Sequence, residues 1–383
     1  MEDNGIYLDH NATTSLDERV LEAMLPFMTR QHGNPTSRHS FGRQARSAIE
    51  LAREQVAAAV NAHPSQVIFT SGGTEANNLA ISGIAASYGV SQIVTSAIEH
   101  PCVSRPALAM KYRGWKLATL PVNAAGVVET ATLEERLQSD TAIVSVMLAN
   151  NETGALQPVA ELADIARRHR TTIHTDAVQA LGKVRVDFAA LNVHAMTLSS
   201  HKINGPQGIG ALILDKRIDI QPVMHGGGQE RGLRSGTENV AAIVGFGAAC
   251  TLLDDRIALH ESVVRPLLQR LEQGLHRLGA VIFGAEAARL PNTSFFAFSE
   301  IEGETLVMAL DRKGFAVASG SACSSDSSEP SSVLLAMGVE PDLAKGAVRV
   351  SLGPQNSTEQ IDAFLATLER ELARLRQLTA VAV

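Results

Sequence analysis

The 383-residue sequence holds only three cysteines, Cys102, Cys250 and Cys323, and no two of them form a CxxC pair. A zinc ribbon needs close pairs and a disulfide framework an even count, so neither is expected. Widely spaced free thiols suit a reducing compartment, and a cytoplasmic location is expected. Aromatic residues are scarce at 4%. The interior must then be built from Ala, Val, Leu and Ile, the residues of parallel strands buried on both faces. No basic block stands out, and 33 Lys and Arg against 40 Asp and Glu give a net charge of −7, so no nucleic-acid partner is expected. The longest mostly apolar stretch, 241–253, is too short to span a bilayer and is broken by Gly245 and Gly247. The start, Met1-Glu2-Asp3-Asn4-Gly5, has neither the basic opening nor the apolar run of a secretory signal. No membrane partner is expected.

What is present is ordinary globular composition, 45% hydrophobic and 19% charged, at a length that fits two packed lobes. Short β-rich runs over 67–70, 92–95, 142–147, 172–175, 195–198 and 211–214 read as buried strands. Helix-period segments over 38–60, 74–88 and 159–170 lie between several of them. This alternation predicts an α/β fold with a large, doubly wound, mostly parallel sheet. A charged helical stretch over 254–278 leads to a smaller α/β lobe that the N-terminal segment joins. The expected division is 1–15 with the small lobe, 16–257 as the large domain and 258–383 as the small C-terminal domain. Residues 319–332 hold eight serines, the composition of a flexible linker, yet Cys323 sits within them.

Ligands of such sheets bind beyond the carboxyl ends of the strands, so the residues there carry the chemistry. Ser71-Gly72-Gly73-Thr74-Glu75 follows a strand and opens a helix, where backbone N–H groups favour an anion. By itself it is also an ordinary helix start. Asp176 ends an apolar strand, where a carboxylate needs a cationic partner or serves as an N-cap. Lys202, in Ser199-Ser200-His201-Lys202, follows another strand and can form a Schiff base with an aldehyde. An anion site, a carboxylate for a ring nitrogen and an amine for an aldehyde, in that order on one sheet, are the parts pyridoxal phosphate requires. His100, also at a strand end, can stack on a ring and move protons. Cys102 and Cys250 read as packing residues. Cys323 lies in a polar loop where a free thiol needs a reason. Arg349, within a strand of the small lobe, suits bidentate capture of a carboxylate.

Together these motifs resemble the cysteine desulfurases of the NifS/IscS type, class-V aminotransferases of fold type I among the pyridoxal-phosphate enzymes. The resemblance runs from Ile6 to about Leu378. It rests on Leu8-Asp9-His10-Asn11-Ala12-Thr13-Thr14, Gly33-Asn34-Pro35, Phe69-Thr70-Ser71-Gly72-Gly73-Thr74-Glu75, Asn150-Asn151-Glu152-Thr153-Gly154 and His174-Thr175-Asp176-Ala177-Val178-Gln179. It continues through Ser200-His201-Lys202, Arg234-Ser235-Gly236-Thr237-Glu238 and Ser319-Gly320-Ser321-Ala322-Cys323.

The resemblance implies that Lys202 carries the cofactor, Asp176 pairs with its ring nitrogen and Gln179 faces its ring hydroxyl. It implies phosphate binding at Gly73, Thr74, Ser199 and His201, with Thr237 reaching across from a second subunit of a homodimer. His100 would stack on the ring, Asn151 and Arg349 would hold the substrate carboxylate, and Cys323 would be the nucleophile. The implied reaction takes sulfur from L-cysteine as a persulfide, leaves alanine, and supplies an iron–sulfur scaffold or another sulfur acceptor. No metal is implied at the site. Selenocysteine cleavage or aminotransfer would keep the cofactor and change the reaction, whereas a non-catalytic interaction protein would not need Lys202, Asp176, His100 and Cys323 together.

Overall fold

Strands made almost wholly of Val, Ile, Leu, Ala and Thr can be buried on both faces, and six strands of the larger sheet are. The computed structural model describes residues 5–320 and 329–381. In chain order the strands are β1 (Ile6–Tyr7), β2 (Val67–Thr70), β3 (Gln92–Ser96), β4 (Lys116–Leu120), β5 (Thr141–Ser145), β6 (Thr172–Asp176), β7 (Ala195–Ser199) and β8 (Gly210–Leu214). The second half adds β9 (Val281–Ile282), β10 (Thr293–Ala297), β11 (Phe315–Ala316), β12 (Ala318–Ser319) and β13 (Val348–Ser351). Seven strands form the large sheet in the order β2-β8-β7-β6-β5-β3-β4. The run from β7 to β4 is parallel, while β8 lies antiparallel to both β7 and β2. Because β8 reverses direction between them, β2 and β7 point the same way. The carboxyl ends of β2, β3, β5, β6 and β7 therefore meet along one edge.

Period-two side chains divide the sheet into two apolar layers. Val67, Phe69, Met196 and Leu198 pack against helices α1 (Glu18–Thr29) and α2 (Ser40–Ala59) and the helix Val240–Cys250. Ile68, Ala195 and Leu212 pack on the other side with α3 (Gly73–Asn78) and α4 (Pro101–Lys111). Gly210 sits between Thr70 and Ser199 in register, and a Cβ there would lie 2.7 Å from the carbonyl carbon of Gly72. Only glycine lets the 71–73 turn come so close to β8.

The smaller sheet, β12-β13-β10-β9, is antiparallel and is covered by the helices Arg265–Arg277 and Thr358–Val381. The chain start belongs to this half: β1 pairs with β11, and Asp9 bridges to Ser351. Among the described residues, no helix is long and apolar enough to cross a membrane.

Candidate active site

The residues after the strand ends converge on a cavity of about 240 Å³. Gly73, Thr74, His100, Asn151, Asp176, Gln179, Ser199, His201 and Lys202, all anticipated from the sequence, line it. Asn151 and Lys202 also line a wider cleft of about 860 Å³, where Arg349 joins them. Thr237 is exposed and lines neither cavity of its own chain. Cys323 lies outside the described residues.

Asp176 is buried at the end of β6. Its Oδ1 accepts from the Val178 N–H at 2.9 Å and its Oδ2 from Asn77 Nδ2 at 2.7 Å. Burial pushes its pKa up, and the two hydrogen bonds, His100 and Lys202 only partly oppose this. A carboxylate in this position gains most from a cation placed against it. Lys202 follows β7 and donates to the carbonyls of Asn11 at 2.5 Å and Ala12 at 2.6 Å. At the other end of the cavity, the glycine turn before α3 faces Ser199 and His201. Ser199 Oγ is buried with no hydrogen-bond partner in the protein. His201 is kept neutral by burial and by neighbouring Lys202, which lower its pKa to about 4.

This donor set fits pyridoxal phosphate. The orphaned Ser199 hydroxyl and the glycine turn suit its phosphate, Asp176 its ring nitrogen, and Lys202 its aldehyde. The buried hydroxyl decides the fit, because an unsatisfied polar group in a native interior requires a partner.

Similarity to known proteins agrees. The aminotransferase class-V family matches residues 6–364. The chain belongs to this family, in its cysteine desulfurase branch. It is 41% identical to "Cysteine desulfurase IscS" of Dictyoglomus turgidum, over 98% of this chain and 96% of that protein. Among solved structures, a NifS-like protein superposes with a TM-score of 0.91 at 38% identity, over 96% of this chain and 99% of that one. SspA in complex with cysteine superposes with a TM-score of 0.81 at 31% identity, over 92% and 99% of the two chains. The fold is that of the fold-type-I pyridoxal-phosphate enzymes, and the chain is a pyridoxal-phosphate-dependent cysteine desulfurase.

Several features of the desulfurase site were not anticipated. Arg349 does not stand free: it donates to Asp9 Oδ1 at 2.7 Å and to the Asn151 carbonyl at 2.9 Å, while its buried Nε has no partner. Gln179 is held at both ends. Its Nε2 donates to the Asn11 carbonyl at 3.0 Å and its Oε1 accepts from Lys183 at 2.7 Å. Lys183, buried and also bonded to Asn11 Oδ1 at 2.7 Å, has its pKa driven well down by burial and then by Lys202 and Arg349. Behind His100, burial raises Glu99 to about 8, against the hydrogen bonds from Ser96 and the Met147 N–H. Cys102 was expected only to pack, yet it lines the cavity and its thiol touches His100 and Asn77. The one available signal was spacing: at the second position of α4, Cys102 was bound to lie close to a helix-capping His100.

The segment bearing Thr237 is moored by a buried ion pair. Glu230 accepts from Arg53 at 2.7 and 2.8 Å and from the Phe69 N–H at 2.8 Å, and the Arg53 guanidinium lies 4.8 Å from the Phe69 ring centroid. Arg234 then pairs with Glu75 on α3 at 2.8 Å.

Proposed function

We propose that this desulfurase carries its cofactor on Lys202 and uses Cys323 as the thiol that receives sulfur from L-cysteine. The observation carrying this reading is the convergence of Lys202, buried Asp176 and orphaned Ser199 Oγ on one cavity. When bound, pyridoxal phosphate supplies an electron sink for the substrate's α-carbon. Asp176 holds charge against the ring nitrogen. Gly73, Thr74, Ser199 and His201 hold the phosphate, and Gln179, fixed by Lys183 and Asn11, faces the ring hydroxyl.

Arg349 and Asn151 take the substrate carboxylate, Arg349 through the Nε that its bond to Asp9 leaves unused. His100, which lines the same cavity, would stack on the ring and move protons. The Cys323 thiolate attacks the substrate sulfur. The S–S bond forms as the Cβ–S bond breaks, and that bond's electron pair stays on carbon, which takes a proton and departs as alanine. The resulting persulfide is reversible, so its sulfur can pass to an acceptor, in this reading an iron–sulfur scaffold or another sulfur-accepting protein.

The reading includes a cytoplasmic homodimer, with Thr237 serving the phosphate of the other subunit. Its support is the position of Thr237 away from its own cavity and an exposed apolar stripe on α1, Leu21, Leu25 and Met28, at i, i+4 and i+7. It also keeps 16–257 as the cofactor-holding domain and 258–383 as the domain that delivers Cys323.

The test is to incubate the cofactor-loaded protein with L-cysteine and a reducing thiol, and to measure alanine and sulfide together. Equal release is expected, with neither product from Lys202→Ala and no turnover from Cys323→Ala. Full turnover by Cys323→Ala would overturn the nucleophile, and a wild-type rate from Lys202→Ala would remove Lys202 from the scheme.

A further inference from the structure

Four side chains from three parts of the chain form a continuous line beneath the cofactor cavity. His100 caps the N-terminus of α4, and Pro101 at the first helical position has no N–H to offer. The first free donor is therefore the Cys102 N–H, which lies 3.2 Å from His100 Nδ1. A backbone N–H can only donate, so Nδ1 presents its lone pair. The Cys102 Sγ lies 2.8 Å from the same nitrogen, and in this tautomer the thiol can only donate there, sharing the lone pair with the N–H. On its far side, Sγ accepts from Asn77 Nδ2 at 2.9 Å. The second hydrogen of that amide goes to Asp176 Oδ2 at 2.7 Å. Asn77 is fully buried and is held through its nitrogen alone, by Asp176 and the thiol, while its Oδ1 has no partner in the protein.

We propose that Cys102 is a positioning residue for His100: its thiol joins its own backbone N–H in donating to Nδ1 and so reinforces the Nε2–H tautomer, with Asn77 linking this bond to Asp176. The inference rests on the proposed role of His100 for its kinetic consequence, but the tautomer itself does not depend on that role. In this arrangement Nε2 is the nitrogen left to the site, and it meets the site as a donor. His100 can take a proton only at Nδ1, and the thiol must then turn from donor to acceptor. Proton uptake by His100 is thus coupled to a reversal at Cys102. Through Asn77, it is also coupled to charge at Asp176.

The surroundings agree. Burial lowers the pKa of His100; Asp176 opposes this, while Lys202 and Arg105 reinforce it. Burial, with Asp176 and Glu99, pushes the Cys102 thiol up to about 12, so it keeps the hydrogen that the bond requires.

The experiment uses full-length protein labelled with 15N-histidine, cofactor-loaded and cofactor-stripped, with the His100 signals assigned by their loss in His100→Gln. Wild type is expected to show a pyridine-type Nδ1 and a pyrrole-type Nε2. In Cys102→Ala, loss of one hydrogen bond to the neutral form should raise the His100 titration midpoint by about 0.4–1 pH unit. The acid limb of the kcat/KM profile should move the same way. Cys102→Ser, which restores a donor, should recover at least about half of that shift. A pyrrole-type Nδ1 in wild type, or superimposable His100 titrations in wild type and Cys102→Ala, would overturn the proposal. The nitrogen signals are readable whether or not the protein releases alanine, so failure of the proposed function would be seen separately.

Discussion

The ion pair between Arg53 and Glu230 should behave as a strong pair that is costly to break from one side only. Both side chains are nearly sealed, at 6% and 3% exposure. Glu230→Ala would leave the buried guanidinium with only the exposed carboxylate of Glu50, 3.3 Å from its Nε, as counter-charge, and would orphan the Phe69 N–H. Removing one partner of a buried pair costs about 3–5 kcal/mol. That is a large part of the roughly 5–15 kcal/mol that stabilises a typical native protein. Replacing both residues with leucine removes both charges together, leaving chiefly the orphaned Phe69 N–H, at about 1–3 kcal/mol. The double variant should therefore be more stable than Glu230→Ala. The assay is urea denaturation of cofactor-stripped protein followed by far-UV circular dichroism, which keeps ligand binding out of the comparison. A Glu230→Ala cost below about 1 kcal/mol, or a double variant less stable than both single ones, would refute the reasoning.

Three further outcomes are expected. Asp176→Asn should keep the fold but remove the charge proposed to face the ring nitrogen, so kcat should fall by about 100-fold or more while cysteine still binds, as steady-state kinetics would show. Gly73→Val adds bulk where even a Cβ would lie 3.0 Å from Val178 and 3.6 Å from Ser199, so cofactor affinity, read by absorbance titration, should drop at least tenfold. His174, fully buried between Ser145 and Thr197, has its pKa lowered by burial to about 3. The unfolded chain binds that proton first, so this residue's contribution to stability falls from about pH 6.5 down to about pH 3. Wild type should thus lose about 2 kcal/mol relative to His174→Gln between pH 7 and pH 5, measured from urea midpoints.

The strands with unbroken apolar runs were legible because burial on both faces leaves a pattern in the sequence. β4 was not, since this edge strand, Lys116–Leu120, is largely uncovered and mixes Lys, Thr and Ala. The direction of β8 carries no local signal: its residues are as apolar as those of its parallel neighbours. The helix expected over 74–88 runs over 73–85 and widens into a π-type turn at Leu79–Gly83, where Gly83 packs against Ile220. That contact comes from a loop far along the chain. The cavity's lining could be anticipated because each residue sits at a strand end, a position readable from the sequence. The contacts that orient those residues could not. Asn77 and Asp176 are 99 residues apart, and Arg53 and Glu230 are 177 apart. No short window holds both partners.

The route of the first dozen residues has a consequence in time. The Asn11 N–H donates to Ser351 Oγ across 340 residues, and its side chain and carbonyl also hold Lys183, Gln179 and Lys202. At 5–20 residues per second, a ribosome needs roughly 20–70 s to make the chain between those two contacts. The larger sheet can collapse well before then. The floor beneath Lys202 cannot close until the last strand has emerged, so a nascent or truncated chain holds the Lys202 amine in an unfinished pocket.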